Sequence, residues 1–338
     1  MLWHLCRRGR FAFALAADLY LYMEGIMKKY VILADVTCDV NQEIRDFIGM
    51  KDYVNGHASF DDGRDLVTTL DWEPISREEF YTALSNKNTK VTTAPPNIEE
   101  YYEKFEGYVK EGYGILSMAL SSKISSTYDF TCGAANRIKE NYPDADIYCF
   151  DSFRMSGAYG LLVVYAHLMQ KEGRSMEEVA QWLEANKRRV HQMGPVDDLF
   201  FIARRGRLTM GKAIMGSFAG VKPMGDCNSD GYTNIITKVK GMSKALDTTV
   251  RYVAETAVDI QNNYVIVAHS NREAYALTLK EKIEKELSPK KVLLTDVFCG
   301  CGANIGPGMV GAYYFGSEVS EDLTSEKEIM AKITGKHA

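Results

Sequence analysis

GILSMALSSKISSTYDFTCGAANRIKEN, residues 114–141, is the stretch on which the fold reading turns. It opens as an apolar run, Gly114 to Leu120, of the length and character of a strand buried on both faces. Ser121, Ser122, Ser125, Ser126 and Thr127 then crowd into a short turn in which Lys123 is the only cation. A helical pattern follows, with Phe130, Ala134 and Ile138 on one face and Ser126 placed to form a capping box with Asp129. The same unit recurs on either side. KYVILADVT reads as a strand that ends in polar turn residues, and PNIEEYYEKFEGYVKEG reads as a helix with Asn97 as N-cap and Glu100 three residues on. ADIYCFDS is the next strand. Alternating apolar strands and amphipathic helices predict a doubly wound parallel sheet.

Beyond residue 155 the pattern changes. A helix is expected over 156–172, and a second one, capped by Ser175 with Glu178, reaches about Val190. LFFIARRGRLT predicts a strand running into a basic turn, and AGVKPMGDCNSDGYTNIITKVKG two strands around an Asn-Ser-Asp-Gly turn. NYVIVAHS, a helix over 271–287, VLLTDVFCG and VGAYYFG complete a second α/β unit. The expected division is an N-terminal α/β domain over 27–155 and a C-terminal one over 156–338, with the boundary somewhere in 155–190. Residues 1–26 read as foreign to both. Arg7, Arg8 and Arg10 precede the apolar run FAFALAADLYLYM, which Asp18 interrupts. The segment is expected to be a non-native or disordered leader, with Met27 the natural start; a membrane-tethering leader is the alternative.

Composition narrows the function. Hydrophobic residues make up 46 % and charged residues 25 %, ordinary values for a globular chain. A net charge of −5 with no basic stripe argues against nucleic acid. The seven cysteines include no CxxC pair, so no zinc ribbon or disulfide framework is indicated, no metal site is assigned, and a reducing cytoplasmic setting fits. Cys299 and Cys301 form a C-x-C pair best read as a strand-end turn of small residues.

A helix start offers unpaired N–H groups and partial positive charge, a seat for a carboxylate or phosphate. Ser125, Ser126 and Thr127 would add neutral donors there, or one serine caps the helix and the others are solvated. A serine nucleophile needs a base and an oxyanion site. There is no G-x-S-x-G elbow, and of His4, His57, His167, His191, His269 and His337 only His269 ends a strand of the second unit. The cluster Arg204, Arg205, Arg207 is either a phosphate contact or an exposed charged turn. Gly306-Pro307-Gly308 is a tight turn.

Taken together, these pieces resemble the DegV family of fatty-acid-binding proteins, in order, over most of residues 29–316. ILADVTCDV resembles the family's strand ending Asp-Ser-Thr, and VTTAPPNIEEYYE its Thr-Ser-Gln-Pro-Ser segment. SSKISSTYDF resembles its Ser-Ser-x-Leu-Ser-Gly-Thr-Tyr motif, and CFDSFRMSGAYG its Asp-Ser strand end. ARRGRLTMGKA, AGVKPMGDCNSDG and GANIGPGMVGAYYFG resemble its Gly-Gly-Arg-Ile turn, its Ile-Lys-Pro hairpin and its His-Thr-Gly-Pro-Gly ending. The resemblance implies a two-domain α/β protein, a doubly wound parallel sheet followed by an α/β unit with a mixed or antiparallel sheet, that buries one long acyl chain. Its carboxylate would be held mainly by Thr93 and Ser125, with Ser126, Thr127, Asn304 and Arg207 beside them. Ser126 stands where the family has glycine and Asn304 where it has histidine; Val36, Ala94 and Pro95 also depart from the pattern.

The function so implied is to bind a long-chain fatty acid and present its carboxylate to an ATP-binding kinase subunit of the dihydroxyacetone-kinase type, which forms the acyl phosphate. No catalytic residue or cofactor is assigned to this chain. A stand-alone lipid carrier or sensor is the second reading and a serine-dependent acyl hydrolase the third. Transient contact with a membrane is compatible with either lipid-binding role.

Overall fold

The structure, a computed structural model, describes residues 28–86, 89–209 and 220–335. The expected leader, 1–26, and Met27 lie outside the described residues, as does the end of the basic turn beyond Thr209. In chain order the strands are β1 (Tyr30–Ala34), β2 (Gly56–Phe60), β3 (Asp65–Thr68), β4 (Val91–Ala94), β5 (Gly114–Ala119), β6 (Ile147–Asp151), β7 (Val190–Met193), β8 (Leu208–Thr209), β9 (Val221–Cys227), β10 (Thr233–Lys240), β11 (Tyr264–His269), β12 (Lys291–Asp296) and β13 (Val310–Phe315). The helices are α1 (Gln42–Ile48), α2 (Arg77–Ser85), α3 (Ile98–Lys110), α4 (Thr127–Asn141), α5 (Ser156–Lys171), α6 (Met176–Asn186), α7 (Leu199–Arg204), α8 (Met242–Thr256), α9 (Glu273–Leu287), α10 (Cys299–Ile305) and α11 (Thr324–Thr334).

β1, β5 and β6 form the expected parallel sheet, in the order β1-β5-β6. Alternate residues feed opposite faces. Leu33 and Ile115 pack with Tyr101, Phe105 and Ile138 of α3 and α4, while Ile32 and Leu116 join α5 and α6 on the other side. Burial on both faces is why these strands read as continuous apolar runs. The capping box of Asn97 and Glu100 forms as expected, as does that of Ser175 and Glu178.

The second sheet is mixed. β12 lies parallel to β11, and β13 and β7 continue it antiparallel, in the order β12-β11-β13-β7. β9 and β10 form the expected hairpin, and β8 adds to β10. Two features differ from the sequence reading. LFFIARRGRLT is mostly helix: Asp198 accepts a hydrogen bond from Phe201 N at 3.0 Å, and that cap starts α7 where an apolar run alone suggested a strand. Residues 56–94 also form a separate antiparallel sheet, β3-β2-β4, that the sequence reading did not identify. Its strands are short and interrupted by polar residues, although Asp61-Asp62-Gly63 marks the hairpin turn between β2 and β3.

α5 joins the parallel sheet and the mixed sheet. Every residue from Ser156 to Val164 is buried. Gly157 lets the helix lie against the ring of Tyr313 in β13, and Gly160 lets it lie against the carbonyl oxygen of Cys38, in the short turn Val36–Cys38 after β1. A methyl group at either glycine would collide with those atoms. The expected boundary at 155–190 therefore falls on a helix that packs against both sheets.

A buried polar network braces the second unit. Asp226 of β9 meets His191 Nδ1 at 2.7 Å, accepts from Tyr252 at 3.0 Å, and accepts backbone N–H bonds from Gln192 and Cys227 at 2.9 and 2.7 Å. Burial alone would depress the His191 pKa, but the Asp226 carboxylate raises it above the ordinary histidine value. A group of this sign contributes stability that is complete below the unfolded-state pKa and fades as pH rises through the folded one. Two outcomes are expected. Asp226→Asn should lose about 3 kcal/mol in urea melts, with the gap to wild type widest below about pH 6.5 and narrowing in alkali. Gly160→Ala should lose about 1–3 kcal/mol, because the Cys38 carbonyl is backbone and has little room to retreat.

Candidate ligand-binding site

The C-terminal ends of β1 and β5 open onto a cavity of about 490 Å³, the size class of small-molecule sites. That edge of a parallel sheet is where ligands gather in α/β folds. The cavity takes its walls from the β1 and β5 loops, the β2-β4 sheet, the start of α5, the β7–α7 segment, β9 and β10, and α10. Leu120, Ile124, Met155, Met193, Ile235 and Met309 supply much of its apolar lining. Methionine adapts to irregular apolar partners because its thioether chain is flexible and polarisable.

Thr93, Ser125, Ser126, Thr127, Asn304 and Arg207 all line this one cavity. Thr93 comes from β4, and Asn304 from α10 packed over it; Asn304 Nδ2 donates to Thr93 Oγ1 at 3.0 Å. The threonine oxygen thus accepts from the protein, which leaves its own O–H to be donated elsewhere. Ser125 is arranged in the same sense. Its Oγ accepts from Thr127 N at 3.3 Å and lies 2.8 Å from Thr127 Oγ1. Thr127 is buried and Ser125 half-buried. With Thr127 donating, Ser125 keeps a free O–H.

The expected capping box of Ser126 with Asp129 does not form. Ser126 is the N-cap but makes no side-chain capping bond; its φ and ψ, −82° and 6°, are not the extended pair that aims an N-cap side chain at the following N–H groups. Ser125 takes the bond to Thr127 N, and Ser126 is exposed at the cavity edge. Of the arginine cluster, Arg207 alone lines the cavity, exposed at its rim. Arg205 is tied to the carbonyl of Val91 at 2.8 Å, and Arg204 lies 4.0 Å from Asp198.

Several lining residues escaped the sequence reading. Asp35 is buried and lines the cavity; burial raises its pKa, opposed by hydrogen bonds from Thr37 and Leu120 N. A carboxyl held toward its neutral form repels an incoming anion less. His57 lies at the edge beside Ala94, with Nε2 2.8 Å from Glu100 Oε1. Alternation along β2 was the signal that could have placed it. His269, the histidine at the strand end, is buried 3.7 Å from Asp296 and is not among the described residues lining the cavity. Cys299 and Cys301 sit on α10 rather than in a turn, with the Cys301 thiol donating to the Thr37 carbonyl at 3.3 Å. Gly306 and Gly308 have φ of 76° and 100°, and the turn they make lies against Phe201 and Asp197. No helix among the described residues is long and apolar enough to cross a membrane.

Comparison with known proteins agrees with this architecture. A DegV domain-containing protein of Clostridium perfringens is 31 % identical over 290 residues, covering 86 % of this chain and 98 % of the relative. A DegV family protein of Thermus thermophilus, described as binding fatty acid, superposes with a TM-score of 0.76 at 22 % identity, over 86 % of this chain and 100 % of that one. A DegV family protein of Eubacterium eligens, loaded with heptadecanoic acid, superposes with a TM-score of 0.73 at 19 % identity, over 85 % and 99 %. The profile of the DegV family matches residues 29–316, the span from β1 to the end of β13, and the chain belongs to that family.

Proposed function

We propose that this chain binds a long-chain fatty acid in the cavity and presents its carboxylate to an ATP-binding kinase subunit of the dihydroxyacetone-kinase type for conversion to the acyl phosphate. The observation that carries the binding reading is the chemistry of the lining: an apolar wall with two hydroxyls, Thr93 and Ser125, each already accepting from the protein. Such hydroxyls are donors in search of an acceptor, and a carboxylate is an acceptor that must be hydrogen-bonded once it leaves water. The fatty acids bound by the Thermus and Eubacterium proteins support the same class of ligand. Each buried methylene contributes about 0.8 kcal/mol, so the tail supplies most of the affinity and the head group fixes orientation.

The kinase step rests on the family resemblance and on Arg207, a cation at the cavity rim where a phosphoryl group would arrive. Asn304 favours the second reading, a stand-alone carrier or sensor, because its amide donates a hydrogen bond but never carries charge. The hydrolase reading finds less support: the bonds of Ser125 Oγ are to Thr127, with no histidine in them.

Native mass spectrometry of protein purified from cells should show a bound mass in the fatty-acid range. Thr93→Ala and Ser125→Ala should each weaken fatty-acid binding by about 1–3 kcal/mol while the fold is kept, since each removes one hydrogen bond to a charged group. Unchanged affinity in both variants would remove these residues from the site. In a second assay, the loaded protein is mixed with ATP and a kinase subunit encoded in the same genome, and acyl phosphate is trapped with hydroxylamine. Hydroxamate should form with wild type and fall at least about tenfold with Arg207→Ala. Tight fatty-acid binding with no hydroxamate would leave the carrier reading standing and end the kinase one.

A further inference from the structure

Thr68, the last residue of β3, lines the cavity and is 2 % exposed. Its Oγ1 is buried with no hydrogen-bond partner among the described residues. A hydroxyl taken out of water and left unpaired is costly, and such groups are rare in folded proteins. None of the head-group contacts described above accounts for it.

The register of the small sheet places this hydroxyl. Gly56 of β2 pairs with Thr68, and Ala58, two residues on, pairs with Thr93 of β4. Directly paired residues point to the same face, as do alternate residues of one strand, so Thr68 and Thr93 share a face. Two strand spacings across and two residues along separate them by about 12 Å. One carboxylate does not span that distance. An acyl chain held at Thr93 and laid straight along the sheet passes Thr68 at about its ninth or tenth carbon, by tetrahedral carbon geometry.

Gly56 presents no side chain on this face. The position its Cβ would take lies 3.1 Å from Thr68 Oγ1, 3.2 Å from the Ala94 carbonyl oxygen and 3.6 Å from Val36 Cγ2. All four residues line the cavity. The bare side of Gly56 is therefore faced by one hydroxyl donor, one carbonyl acceptor and one methyl group. An alcohol on the ligand uses all three. Its oxygen accepts from the Thr68 O–H, its proton goes to a lone pair of the Ala94 carbonyl, and the carbon that bears it packs on Val36. A ketone uses only the donor, and a methylene uses neither polar group.

We propose that the corner formed by Thr68, Gly56 and Ala94 is a second polar subsite of the cavity, which selects long-chain fatty acids carrying a hydroxyl near the middle of the chain. The proposal rests on the fatty-acid reading above and names the kind of acid. Thr68 turns its hydroxyl toward the chain by rotation about Cα–Cβ into another staggered position. A plain saturated chain leaves that hydroxyl unpaired, so Thr68 adds nothing to its affinity.

The test uses purified full-length protein and displacement of a fluorescent fatty acid. The competitors are octadecanoate and hydroxyoctadecanoates with the alcohol near the head, the middle or the tail end. Wild type should bind the mid-chain alcohol on the order of tenfold more tightly than octadecanoate, the scale of a buried hydrogen bond. Thr68→Val removes the hydroxyl and should abolish that preference while binding octadecanoate at least as well as wild type. Thr68→Ser keeps a hydroxyl and should retain the preference. Octadecanoate binding reports that each variant is folded; where Thr68→Val does not fold, the wild-type series decides. Octadecanoate binding with no gain from the mid-chain alcohol, or a gain that survives in Thr68→Val, would overturn the proposal and leave the fatty-acid reading standing. Failure of wild type to bind any of these acids would end both.

Discussion

The close seating of α5 between two sheets is the constraint from which the rest of this molecule follows. Gly157 and Gly160 bring the helix against Tyr313 on one sheet and against the Cys38 carbonyl on the turn leaving the other. Tertiary packing of this density leaves no slack: protein interiors approach the packing of organic crystals, and a single added methyl group is felt. With α5 so fixed, its first residues are fixed too. Met155 and Ser156 line the cavity, and Ser156 Oγ donates to Asp39 Oδ2 at 2.6 Å, while Phe298 N, which leads into α10, donates to Asp39 Oδ1 at 2.9 Å. The loop after β1, the start of α5 and the start of α10 thus converge on one carboxyl. Burial lifts the Asp39 pKa to about 8, so this junction is held by a group that is largely neutral below that pH.

That convergence explains why the cavity walls come from so many elements. No single motif builds the site. The β5–α4 turn brings Ser125 and Thr127, β4 brings Thr93, and α10 brings Asn304, each correct only when α5 holds the two sheets at their distance. The small antiparallel sheet β3-β2-β4 belongs to the same arrangement, since α10 packs on it and Thr93 lies within it.

Legibility from sequence followed the physics of each signal. β1, β5 and β6 were plain because burial on both faces demands unbroken apolar runs. The helices with Asn97 and Ser175 at their starts were plain because a capping box needs both partners at a fixed offset. Ser126 carried the same pattern and failed, since its backbone is not in the extended conformation that aims an N-cap side chain at the N3 donor; spacing does not report that conformation. α7 was misread because a run of large apolar residues is ambiguous over so few positions, and Asp198 as its cap is visible only once the strand alternative is dropped. Asp35 could not be placed beside the cavity from sequence, because its approach is made by tertiary contacts between segments distant in sequence, whereas alternation along β2 carried a signal for His57.

The neutral character of the two hydroxyl donors bears on the proposed function. A carboxylate clamped by a buried guanidinium would give up much of its charge density to that cation and would be costly to strip from it. Hydroxyl donors hold the same group more loosely, at about 1–3 kcal/mol each, and leave its negative charge in place. On the proposed reading the acyl chain must remain anchored while one oxygen of its head group attacks a phosphoryl centre. An anchor in the tail and a light grip on the head meet both needs. The cation that such a transfer requires then belongs at the rim, where charge develops, and that is where Arg207 lies.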